Sequence, residues 1–112
     1  MAVYTKIETT TATIANGATT SGVVELGASA VLGIEMPAAF TGTALAIHGA
    51  SASGGTYAPL RDSGGTALSI TTAAGYRHYI DPLITAGWAY IKVVSGSTEG
   101  GSRVITLTVR PV

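Results

Sequence analysis

Two histidines, His48 and His78, are the only side chains of this 112-residue sequence that ordinarily titrate near neutrality. With Ser51, Ser53 or Ser63 and with Asp62 or Asp81 they supply the residue types of a Ser-His-Asp hydrolase. That chemistry needs a hydroxyl held on a strained turn beside oxyanion donors, and the sequence contains no G-x-S-x-G. The acid pair of a glycosidase would have to come from Glu8, Glu25, Glu35, Asp62, Asp81 and Glu99. Each stands singly near a turn or at an outward strand position, so all six read as solvated charges on polar faces. His78 and Asp81 lie three apart, a spacing that sends them to opposite faces of a strand. No D-x-D-x-D run offers calcium a set of oxygens, and the absence of cysteine removes thiolate sites, thiol catalysis and disulfides. We therefore expect no catalytic residues, no metal and no cofactor.

A doubled glycine motif is the next candidate. Gly54-Gly55-Thr56 and Gly64-Gly65-Thr66 recur ten residues apart in "SGGTYAPLRDSGGTALSI". A phosphate-gripping loop requires a following helix to aim its N-terminal N–H groups, or a lysine placed as in the P-loop. Neither follows here. The glycines read as hairpin turns, where a positive φ is cheap, within a three-strand meander.

Aromatic residues are left as the means of recognition. Trp88 and Tyr90 lie two apart on a strand whose other face carries Ile91 and Val93. If those aliphatics point into the core, Trp88 and Tyr90 point outward as an anchor for protein or sugar. The competing arrangement packs Trp88 under a loop at the end of the fold. Tyr76 and His78 share one face of the preceding strand, with Tyr79 on the other. Tyr57, Tyr76, Trp88 and Tyr90 are the candidate partner-interface residues.

The elements that must position these groups are strands. No window of eleven residues carries an apolar helical stripe free of glycine or proline, whereas period-two alternation recurs between turn signals. "RVITLTVR" places Ile105, Leu107 and Val109 on one face. "TALAIH", "TALSIT" and "WAYIKVV" do the same with Leu45 and Ile47, Leu68 and Ile70, and Ile91 and Val93. "GVVEL" offers Val24 and Leu26, and "VLGIEM" offers Leu32, Ile34 and Met36. Pro59 confines "TYAPLRD" to an edge. "PLITAG" and "MPAAFTG" are read as single helical turns. The expected fold class is all-β, a single antiparallel sandwich or jelly roll of eight to ten short strands. Residues 21–112 form the sandwich, and residues 1–20 form an N-terminal arm or an edge hairpin. As an arm, residues 1–12 would be removable without loss of the fold.

Composition narrows the partners. Charged residues are 11% of the chain, against about 25% in ordinary soluble proteins. Six basic residues balance six acidic ones, and mean hydropathy is +0.43. Without clustered Lys or Arg, nucleic acid and anionic membranes are not expected partners. No apolar run approaches 18 residues and no signal-peptide core opens the sequence, so synthesis and folding in a cytosol are expected.

The order of segments carries a resemblance. "TSGVVELG" is followed by "LGIEMPAAFTGTALAIHGA", "GGTYAPLRDSGGTALSI", "YRHYIDPLITAG", "AYIKVVSGS" and a closing "RVITLTVRPV". Over residues 20–112 this pattern resembles small structural proteins of tailed-phage virions. The resemblance implies a capsid decoration or cement protein with a β-sandwich fold, bound to the major capsid protein or another virion protein. It also implies self-association, with a trimer favoured, and a place on the capsid surface after assembly in the bacterial cytoplasm. In the phage family a different turn follows the central strand, where this chain has "SASGG". The family's Pro and Gln after the SG element are replaced here by "STEGGSR". The alternative reading is a carbohydrate-binding module of a head fibre or tail, motivated by Trp88 and Tyr90.

Overall fold

In the computed structural model, which describes residues 7–111, the alternating segments become nine strands and one turn of helix. They are β1 (Glu8–Ile14), β2 (Val24–Glu25), β3 (Ser29–Glu35), β4 (Ala44–Ala50), β5 (Ala58–Pro59), β6 (Ile70–Thr71), β7 (Arg77–Tyr79), α1 (Leu83–Ala86), β8 (Tyr90–Ser95) and β9 (Arg103–Pro111). Two antiparallel sheets result. One runs β1-β9-β3-β7; the other runs β2-β8-β4-β5, with β6 also on β4. Each turns an apolar face to the other. Ile105 and Leu107 of the first sheet and Ile47, Ile91 and Val93 of the second have no exposed surface. The chain is an all-β sandwich, as its period-two patterning predicts.

β9 follows that pattern residue by residue: Ile105, Leu107 and Val109 are buried, while Val104, Thr106 and Thr108 face out. β3 does not. A register shift between Val31 and Gly33 places Leu32 in a bulge. Val31 and Ile34, three residues apart, both enter the core, and Leu32 is only half-buried. The expected inward trio of Leu32, Ile34 and Met36 is corrected accordingly. Nearby, the buried Thr85 hydroxyl of α1 accepts the Val31 N–H at 2.8 Å, so this backbone donor is satisfied.

The segment 82–87 does contain a helical turn, but "MPAAFTG" forms none. The doubled glycine motif turns the chain in two ways. In the second copy Gly65 has φ +88°, and Asp62 Oδ1 accepts the Gly64 and Thr66 N–H groups at 2.9 and 3.0 Å. In the first, Gly55 N–H donates to Ala52 C=O at 3.0 Å with no positive φ. The meander is also rearranged: β5 and β6 lie end to end along one edge of β4, opposite His48–Gly49 and Ala44–Leu45.

Candidate functional site: the outward sheet faces

The titratable groups are dispersed by the fold. His78 lies on the core side of β7, opposite Ile34, with Nε2 2.8 Å from the Thr72 hydroxyl. His48 lies on the outward face of the second sheet beside Lys92, where partial burial lowers its pKa. Asp62 is used by its own hairpin, and Asp81 accepts the Leu83 N–H at 3.0 Å. Among the described residues no three His, Asp or Glu side chains gather as metal ligands, and no histidine bonds a carboxylate. A groove of about 220 Å³ between the 61–69 hairpin and α1 is smaller than the ~300–1,000 Å³ of typical ligand pockets.

Glu99 departs from the reading of six solvated carboxylates. It is fully buried. Its Oε1 accepts the Thr41 N–H at 2.9 Å and the Arg103 Nε–H at 2.9 Å. Its Oε2 accepts the Gly42 N–H at 3.0 Å and the Ser95 hydroxyl at 2.9 Å. Burial pushes the carboxyl pKa up, but the bonds from Thr41, Arg103, Ser95 and Gly42 outweigh it and hold the pKa below its ordinary value. The carboxylate thus fastens the 36–43 loop to the β8–β9 connection. A Cβ at Gly42 would run into the Ser95 hydroxyl, so only glycine lets the loop approach this closely.

The outward face of the second sheet can be followed across its strands from the register. Tyr90 is opposite Ala50 on β4 and Glu25 on β2, and Tyr57 immediately precedes β5 on the other side of β4. The two tyrosines thus flank β4, where Ala50 is buried. The next row holds Pro59, His48 and Lys92, and the one after it Ala46, Val94 and Thr20. Lys92 Nζ sits 4.5 Å from the Tyr57 ring centroid, a cation–π contact, and the Tyr57 hydroxyl donates to the Ser53 carbonyl at 2.8 Å. These contacts fix the ring before any partner arrives.

Trp88 is not on that face. Gly49 is opposite buried Ile91, so its missing side chain would point coreward. A Cβ there would meet Leu60 Cδ2 at 2.6 Å and Trp88 Cγ at 3.1 Å. The indole therefore closes the end of the core over Gly49 while remaining 40% exposed. The outward Trp88–Tyr90 pair is corrected to a lone Tyr90, because the chain has not yet entered the strand at residue 88. Tyr76 belongs to the other sheet, with its ring 5.8 Å from that of His78. Of the four candidates, only Tyr57, held against Lys92, and Tyr90 belong to this face. Gly49→Ala should force Leu60 and Trp88 aside and destabilise the fold by about 1–3 kcal/mol. Red-shifted emission from the single tryptophan, together with a lower urea midpoint, checks this.

The first sheet's outward face carries a threonine array. Thr9, Thr11 and Thr13 of β1 stand opposite Thr108, Thr106 and Val104 of β9. Gly33 and Glu35 continue the rows to Tyr79 and Arg77. Glu35 and Arg77 form an exposed ion pair at 2.8 Å, which is worth little in water. Sequence reasoning missed this array because it depends on which strand lies beside which; the available signal was the matched spacing of "TTTAT" and "TLTV". No protein-family model, curated protein or solved structure matches the chain.

Proposed function

We propose that this chain is a non-catalytic structural protein of a tailed-phage particle, a decoration protein that binds major capsid subunits on the head surface. The observation that carries the reading is the character of the two outward faces. They are broad, carry an acid and a base apiece (Glu35 and Arg77 on one, Glu25 and Lys92 on the other) and are otherwise built mainly from Thr, Ala, Val and Tyr, while each potentially reactive group is engaged locally or stands apart. The ordered resemblance over residues 20–112 points to the particle. A neutral face of this kind acts by buried area, about 1,600 Å² in a standard contact, repeated over many copies. Tyr57 and Tyr90 are the anchors, since rigid aromatic rings supply most of the energy of such contacts.

Co-sedimentation of the purified chain with undecorated phage heads tests the proposal. We expect saturable binding that Tyr57→Ala/Tyr90→Ala weakens at least tenfold at unchanged thermal stability. Protein left wholly in the supernatant across several head types overturns it. The carbohydrate-binding alternative retains only the Tyr57–Tyr90 platform, since Trp88 is turned to Gly49.

A further inference from the structure

Unpaired backbone at a sheet edge is a template for another strand, and proteins normally blunt such edges. The second sheet is blunted on both sides. Residues 20–25 cover β8 through the Thr20–Val94 bridge, the Ser21 N–H to Val93 C=O bond and β2, and the other side ends in the two-residue strands β5 and β6. On the first sheet, β7 is three residues long, carries Arg77 and runs into Asp81-Pro82. β1 differs. It is seven residues long and in unbroken register with β9, and apart from Glu8 it carries no charge, proline or bulge.

The direction of its free groups follows from the ladder. Ile80 N–H donates to Leu32 C=O and Met36 N–H to Tyr76 C=O. Gly33 and Glu35 therefore turn their own groups toward Thr108 and Thr106 of β9. Thr108 and Thr106 are thus engaged with β3, which leaves Thr9 and Thr11 with N–H and C=O aimed away from β9. At the far end of β1 the same alternation is visible directly, where Thr13 C=O accepts the Gly22 N–H at 3.3 Å. Between Glu8 and Ala12 no described residue covers this edge, and Thr9 and Thr11 are exposed.

We propose that two copies of this chain pair antiparallel through β1, about a two-fold axis at Thr10, joining their four-stranded sheets into one of eight. In that register Thr9 faces the partner's Thr11 and Thr11 faces the partner's Thr9, each pair exchanging two hydrogen bonds. Several observations select a second copy as the occupant. The free length runs from Glu8 to Ala12, because the Gly22 bond closes the edge at Thr13, and a register centred on Thr10 uses all of it. The threonine rows of the two copies become continuous on the outward face. The only charge, Glu8, falls opposite the partner's Ala12, about 14 Å along the strand from the partner's Glu8, farther than the ~8–10 Å screening length of ordinary buffers. A strand pair alone buries less than the ~1,000 Å² of a lasting interface, so free chains exchange rapidly and the pairing gains from crowding on a surface. The inference does not rest on the capsid reading.

Because the natural sequence has no cysteine, introduced thiols report the pairing directly. At the two-fold axis Thr10 meets the partner's Thr10 as a non-hydrogen-bonded pair, with Cα atoms about 4.5 Å apart, inside the range a disulfide spans. Two Thr11 residues would lie more than about 7 Å apart, beyond it. Oxidation of the purified Thr10→Cys chain should yield covalent dimer at least ten times faster than Thr11→Cys. Thr11→Pro removes an N–H that β9 does not use, so added to Thr10→Cys it should abolish the acceleration while circular dichroism stays unchanged. Thr9→Lys/Thr11→Lys, which sets like charges opposite one another, should do the same and serves if the proline variant unfolds. Thr10→Cys that cross-links no faster than Thr11→Cys overturns the proposal, as does an acceleration that survives the edge variants in a folded chain.

Discussion

Glu99→Ala is expected to cost about 3–5 kcal/mol, the penalty for leaving a buried ionic partner uncompensated. The substitution strands the Thr41 and Gly42 N–H groups and the Ser95 hydroxyl, and it leaves the Arg103 guanidinium, on a side chain only 17% exposed, without its carboxylate. Against the ~5–15 kcal/mol of a whole domain, this is a large fraction, and a fall in Tm of more than about 12 °C follows. Glu99→Gln keeps the shape but presents an amide group toward donors, and about 2 kcal/mol is expected from the weakened charge-assisted bonds. Urea denaturation at pH 7 measures both; a Glu99→Ala chain within 1 kcal/mol of the parent would show that the loops hold without the carboxylate. The pH dependence has a definite sign. The folded chain keeps the Glu99 carboxyl below its ordinary value of 4.5. Its contribution is therefore complete above that value and fades as the pH falls through the lower folded-state pKa. The stability gap between the parent and Glu99→Gln should narrow from pH 6 to pH 3.

Removal of residues 1–12 is expected to abolish cooperative unfolding. The first six residues of the expected arm lie outside the described residues, but Glu8–Ala12 pair with Ile105–Val109 of β9, and Ala12 is buried. That pairing favours the edge-strand reading of residues 8–12 over a freely removable arm. Without them, β9 becomes an open edge of alternating Ile105, Leu107 and Val109 beside an uncovered core, the pattern that drives aggregation. Calorimetry and light scattering on the truncated chain report the outcome. A sharp transition near the parental Tm would restore the arm reading. The contrast with Thr11→Pro is informative, since that variant alters only the outer side of the same strand.

Much of the architecture was written in short-range pattern. The β9 segment and the helical turn at 82–87 were readable because alternation and turn chemistry are properties of neighbours in sequence. The bulge at Leu32 was not readable, because it is stabilised by Thr85 on α1, far along the chain. Period two does not place Trp88, because β8 begins only at Tyr90 and Gly49 on another strand leaves room for the ring. Glu99 looked like a solvated charge because its donors Thr41 and Gly42 stand almost sixty positions away. Only Ser95 and Arg103, each four residues away, were local signs.

The sequence by itself determined that this is a nearly uncharged β-sandwich, because hydrophobic alternation chooses the faces of each strand before any strand has a neighbour. Tertiary structure decided which strands became neighbours. That choice made Thr9, Thr11, Thr106 and Thr108 a single surface, put Tyr57 beside Lys92, buried one carboxylate of six and left β1 as the long edge that no other described strand covers. Pairing and register are settled by the free energy of the whole core, which no window of neighbouring residues contains.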